Sequence, residues 1–157
     1  MEKGSAQDLL LYWSPSTAKG VLSREDILDY VASNQLKRAD SGDVIWVVTA
    51  YDGELTLLGK LIVDVITDRN DAVNRLGRKD VWGDKSHYAT AIPGKEAPLR
   101  EISLRDLAAQ LRFIASQPKS ARLHIDEQNR VNAQELQTMR QLDSASAQLL
   151  ERLWKQK

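Results

Sequence analysis

The side chains with most chemistry to offer here are four tryptophans in a chain of 157 residues. A flat indole at the edge of a cleft stacks on a nucleobase, an interaction worth about 1–3 kcal/mol per base. Trp82 stands in a polar, glycine-containing stretch, Thr67 to Lys85, where no apolar periodicity accounts for it, and Arg75, Arg78, Lys79 and Lys85 flank it. Cations around a stacking plate suit a nucleic acid, because phosphates need charge and an extruded base needs a surface. Trp13 ends an apolar run just before Ser14-Pro15, where a ring either closes a core or lines a pocket mouth. Trp46 and Trp154 lie on apolar faces and read as core.

Catalytic signals are weak by comparison. No GxSxG, HExxH, P-loop or GxGxxG pattern occurs. His87, beside Asp84 and Tyr88, is a polar cluster that a partly exposed structural histidine explains equally well, and His124 lies inside the short run RLHI. With no cysteine and two histidines, thiolate zinc sites and disulfides are excluded, and neither a metal nor a cofactor is expected.

The elements that must position these residues follow from patterning. Asp8 to Trp13 is a short apolar strand. Ser23 with Asp26 resembles a capping pair and predicts an amphipathic helix through Ile27, Leu28 and Val31 to about Asn34, with Tyr30 on it. Gly42 to Ile66 reads as a hairpin about Asp52-Gly53, a pair suited to a type I′ turn. Its register would set Trp46 over Gly59, a known stabilising pairing. Both faces of Val44 to Tyr51 are apolar, which predicts a central strand. His87 to Ile92 predicts another strand, and helices are expected from Ser103, Asn132 and Ser144.

Composition bounds the whole: 42% hydrophobic, 28% charged and formally neutral, the profile of a single domain over 1–157. Residues 1–80 hold 10 basic against 13 acidic groups and residues 81–157 hold 12 against 9, so binding by bulk charge is not expected, although a local basic surface in the second half is allowed. No apolar run suits a membrane span and the first residues lack a secretory pattern, so a cytoplasmic protein without membrane contact is expected.

The run YWSPS after an apolar first strand, then SGDVIWVVTAYDGELTLLGKLIVDVI, then DVWGDK, resembles the PUA-like superfamily, especially its EVE and YTH branch. The stretch from Leu107 to Trp154 is similar to the helical end of bacterial EVE-like domains, which also occur fused to nucleases. The resemblance implies an α+β fold, a curved β-barrel flanked by helices, and noncatalytic reading of a modified base flipped into an aromatic pocket. Carried onto this sequence, it makes Trp82 the loop tryptophan and Ser14 to Ser16 the polar turn, with Trp13 adjacent. A base-binding set of Trp13, Ser14, Ser16, Tyr30 and Trp82 results, with Arg75, Arg78, Lys79 and Lys85 toward phosphate. YTH-type readers carry a further cage tryptophan after the first helix, and residues 24 to 40 hold none. Modified cytosine in DNA is therefore favoured, as in a modification-dependent restriction system with a fused or partner nuclease. Two alternatives stay open: a hydrolase of a modified nucleoside like the neighbouring ASCH branch, using Lys60, Thr56 and Glu54, and a protein-interaction module with a filled pocket.

Overall fold

A computed structural model describes residues 6–81 and 85–156. In chain order the elements are β1 (Asp8–Tyr12), α1 (Pro15–Arg24), β2 (Ile27–Leu28), β3 (Tyr30–Ala32), β4 (Val44–Tyr51), β5 (Glu54–Thr67), α2 (Arg69–Leu76), β6 (Tyr88–Ala91), β7 (Ala97–Pro98), β8 (Ile102–Ser103), β9 (Arg140–Leu142) and α3 (Ser144–Gln156). The main sheet runs β3-β6-β5-β4-β1-β9, with β8 added to β5, while β2 and β7 pair separately. This is an α+β architecture. Among the described residues no helix is long and apolar enough to cross a membrane.

The hairpin forms where the sequence predicts it. Asp52 and Gly53 both take positive φ, 51° and 83°, as the turn requires. Pairing starts in the expected register, Tyr51 with Glu54 through Val48 with Leu57, then slips by one residue so that Val47 meets Gly59 and Trp46 meets Lys60. Leu58 is the extra residue of a bulge, and the expected Trp46–Gly59 pairing is not made. The glycine has a different reason to be there: a Cβ on Gly59 would lie 2.7 Å from Leu28 Cδ2.

β4 is central, as its two apolar faces demand. Ile45 and Val47 pack with Leu9, Leu11, Trp13, Ala18 and Val21 beneath α1. Trp46, Val48 and Ala50 pack on the opposite side with Leu104, Leu111, Phe113, Leu150 and Trp154. β5 has 14 residues because it serves two partners, β4 along its first part and β6 along Val63 to Thr67.

Three predicted helices are corrected. The first begins earlier, at Pro15, because Ser14 is the N-cap and Pro15 the first helical residue; Ile27 to Ala32 are instead the strands β2 and β3, so Tyr30 is a strand residue. β-branched and aromatic side chains at Ile27, Tyr30 and Val31 fit a pleated surface better than a helix. From Ser103 only a single turn at Ala108–Gln110 is helical, and from Asn132 only Ala133–Leu136. The apolar residues there are buried by covering the Trp46 face, with Leu104 N–H bonded to Leu55 O and Phe113 bridging to Leu142. Tertiary cover replaces helical periodicity. The polar stretch after β5 holds a true helix, α2, capped by Asp68 and ended by left-handed Gly77. α3 forms as expected.

The two ends of the sheet path are joined by a side chain. Gln35, three residues past β3, donates from Nε2 to Gln137 O at 2.8 Å and accepts from Met139 N at 2.5 Å, just before β9. Arg38 Nη1 adds a 2.8 Å bond to Met139 O.

Candidate functional site

At this seam, the end of β1, the first turn of α1, residues 32–35, Lys85 and Gln137 enclose a hollow of about 250 Å³. Its apolar wall is Leu11, Trp13 and Ala32, its polar wall is Ser14, Thr17, Ser33, Asn34, Gln35, Gln137 and Lys85, and Tyr12 also borders it. Trp13 is only 4% exposed, so it packs in the core beneath α1 and also faces the hollow.

Each polar group is set by local structure. Ser14 caps α1, its Oγ accepting from Thr17 N at 3.3 Å and donating to Thr17 Oγ1 at 3.1 Å. Pro15 has no N–H and that of Thr17 is taken, so the N–H of Ser16 is the open donor of the first turn. Asn34 Oδ1 accepts from Ser86 N at 2.8 Å, which leaves its NH₂ as a donor. Gln35 is spent on Gln137 and Met139. The Tyr12 side chain packs with the cluster on the Trp46 face of the sheet, opposite Leu11 and Trp13, so its hydroxyl is not among these donors. Among the described residues the lining contains one cation, Lys85, and no carboxylate. Such a wall favours a neutral or anionic guest rich in acceptors.

Of the residues singled out in the sequence, Trp13, Ser14 and Lys85 are brought together here, from two separate parts of the chain. Ser16 is exposed on the first turn and does not line the hollow. Trp82 lies outside the described residues. Tyr30 is not part of the pocket: it is 3% exposed, clusters with Tyr88, Ala72 and Val81, and is covered by the Arg78 guanidinium 5.7 Å from its ring centre.

The cations sort by what holds them. Arg78 is engaged by Glu25 (2.7 Å), Asp29 (3.2 Å) and Asp80 (2.6 Å), and Arg75 by Asp71 (2.5 Å). An Arg78 phosphate contact is corrected accordingly, since three carboxylates already surround that guanidinium and would repel a phosphate. Arg75 is compensated in the same way by one. Lys79 is exposed and forms no ion pair among the described residues.

The hydrolase set is not assembled. The bulge at Leu58 leaves Lys60 across from Trp46 on one face of the sheet and Thr56 across from Thr49 on the other. Thr56 is 5% exposed and its hydroxyl donates to Glu54 O. In a larger hollow of about 500 Å³ over Asp8, Trp46 and Lys60, Lys60 Nζ is paired with both Glu151 oxygens at 2.5 and 2.8 Å and Asp8 accepts the Trp46 N–H. His87 meets Ser86 Oγ, while His124 pairs with Glu135. Among the described residues no cluster of three or more potential metal ligands occurs.

Asn34, Ser33, Thr17, Gln35 and Gln137 were not apparent as site residues from the sequence. The polar run Ser33-Asn34-Gln35 straight after an apolar strand was the available signal; for Gln137 there was none.

No protein-family profile matches the sequence, and no curated protein matches it. Among solved structures, the chain is similar in fold to a mutant ASCH protein from Zymomonas mobilis, with a TM-score of 0.51, 16% identity, and coverage of 94% of this chain and 96% of that one. At that identity the likeness concerns the fold alone.

Proposed function

We propose that this PUA-like domain binds nucleic acid without catalysing a reaction, and that the hollow beside Trp13 receives one base. The observation that carries the reading is the composition of its wall among the described residues: several neutral donors and a lysine around an indole floor, with no carboxylate. A base offers ring nitrogens and carbonyls to such donors, the edge of the buried Trp13 closes the floor beneath it, and the phosphate beside it suits Lys85. Because the hollow is recessed, the base would enter by flipping. A modified cytosine in DNA remains the favoured guest, on the EVE-like resemblance. In that setting the domain is the specificity part of a restriction system, its sheet ends tied by Gln35 into a curved, barrel-like wall.

The test is a binding screen of the intact chain against matched oligonucleotides carrying plain or modified bases, repeated with Asn34→Ala and Lys85→Glu. Both residues are exposed, so the fold should persist. Preference for a modified base that Asn34→Ala erases supports the reading, and Lys85→Glu should weaken every oligonucleotide alike. Equal binding of all oligonucleotides by all three proteins would overturn it.

A further inference from the structure

One flank of the pocket carries cations that form no ion pair among the described residues. The Gln35 bonds to Gln137 and Met139 continue into Arg38, which donates to Met139 O, and then into Arg140, which stacks on Phe113 at 4.1 Å and donates to Ser120 O. These contacts connect the pocket wall to the 118–122 segment. Arg38 and Arg140 spend their hydrogen bonds on neutral carbonyls, and Arg140 also feels the charge of Glu135. Lys37, Lys119 and Arg122 are exposed and form no ion pair among the described residues. Glu135, whose charge acts on Arg140, is shared with His124. The opposite flank is the reverse case, with Arg75 and Arg78 held by carboxylates.

From this contrast, and resting on the pocket reading above, we infer that a nucleic-acid strand whose base sits in the pocket is led away along this flank. Its phosphates would lie against Lys37, Arg38, Lys119 and Arg122, with Lys85 at the pocket mouth. Uncompensated cations along a continuous surface are what a polyanion exchanges for its counterions.

The experiment uses fluorescein-labelled single-stranded DNA of about 16 nucleotides, with an RNA of the same sequence as a second arm, and the triple variant Lys37→Glu/Lys119→Glu/Arg122→Glu. A control triple, Lys95→Glu/Arg152→Glu/Lys155→Glu, makes the same change of net charge at exposed positions elsewhere. Affinity of the first triple should fall at least about tenfold at about 0.1 M salt, and the salt slope should drop by about two, since each phosphate on a single strand contributes about 0.7. Equal loss in the control triple would overturn the track, because bulk charge would then explain it. Deoxycytidine monophosphate, followed by NMR at Asn34 and Lys85, separates the two readings. Mononucleotide shifts at the pocket with no oligonucleotide loss in the first triple would end the track and leave the pocket standing. Oligonucleotide loss without pocket shifts would end the pocket reading, and no binding of either probe would overturn both.

Discussion

Lys60 stands directly across the β4–β5 ladder from Trp46, its ammonium 5.4 Å from the centre of the indole ring. The same indole donates its N–H to Asp8 Oδ1 at 3.0 Å and meets Trp154 edge-on at 6.4 Å. One side chain thus joins β1, β4, β5 and α3. Trp46→Ala should lower stability by about 3–5 kcal/mol through the cavity it leaves. Urea denaturation would check this, and a loss below about 1 kcal/mol would show the ring to be dispensable.

Gly59 should tolerate no side chain, for a reason that involves Leu28 and not Trp46. A Cβ there meets Leu28 Cδ2 at 2.7 Å and Leu99 Cδ2 at 3.4 Å, and Leu28 is itself only 2% exposed. Gly59→Ala should cost about 1–3 kcal/mol, as overpacking does. The double variant with Leu28→Ala should recover part of that cost, which a thermodynamic cycle would measure; strictly additive losses would place the strain elsewhere.

Ser14 holds the first turn of α1 and with it one edge of the pocket. Ser14→Ala removes the acceptor for Thr17 N–H and should cost about 1 kcal/mol, whereas Ser14→Gly should cost only a few tenths. If thermal melts rank the two the other way, the cap is not what Ser14 supplies.

Asp29 and Asp80 share the Arg78 guanidinium yet should titrate on opposite sides of the ordinary carboxylate value. Burial is the largest influence on Asp29 and lifts it in spite of Arg78. The hydrogen bond from Arg78 is the largest on Asp80 and lowers it. The signs follow by linkage. Asp29, raised in the fold, favours the folded state below its unfolded pKa and loses that contribution as pH rises through the raised value. Asp80, lowered, contributes above its unfolded pKa and loses it as pH falls through the lowered value. Carbon-13 NMR titration of the two carboxyls should separate them, and Arg78→Ala should raise both. The same substitution should destabilise more near neutral pH than at about pH 4, where protonation relieves the repulsion among Glu25, Asp29 and Asp80. Coincident titrations, or an Arg78→Ala effect independent of pH, would contradict this account.

What the sequence determined by itself was local. The Asp52-Gly53 turn, the two apolar faces of Val44 to Tyr51, the β1 and β6 strands and the α3 stripe all follow from neighbouring residues, because turn dihedrals and alternation depend on nothing distant. The PUA-like resemblance came from the same stretches. Trp13 and Lys85 stand out on type and position and Ser14 on the resemblance, and all three line the hollow beside α1.

Tertiary structure decided the rest. A bulge of one residue at Leu58 reversed which face Lys60 occupies, which no alternation rule from the turn could foresee, and it separated Lys60 from Thr56. Leucines spaced as for a helix at 104, 107 and 111 became an irregular cover once the Trp46 face was there to bury them. Whether an arginine faces a phosphate or a carboxylate depends on groups far away in the chain: Arg78 meets Glu25 and Asp29 only because α1 and β3 pack beside the segment that follows α2. The pocket has the same origin, since its wall exists only where Gln35 ties residues 137–139 against the end of β3, and contacts separated by a hundred residues leave no local signature.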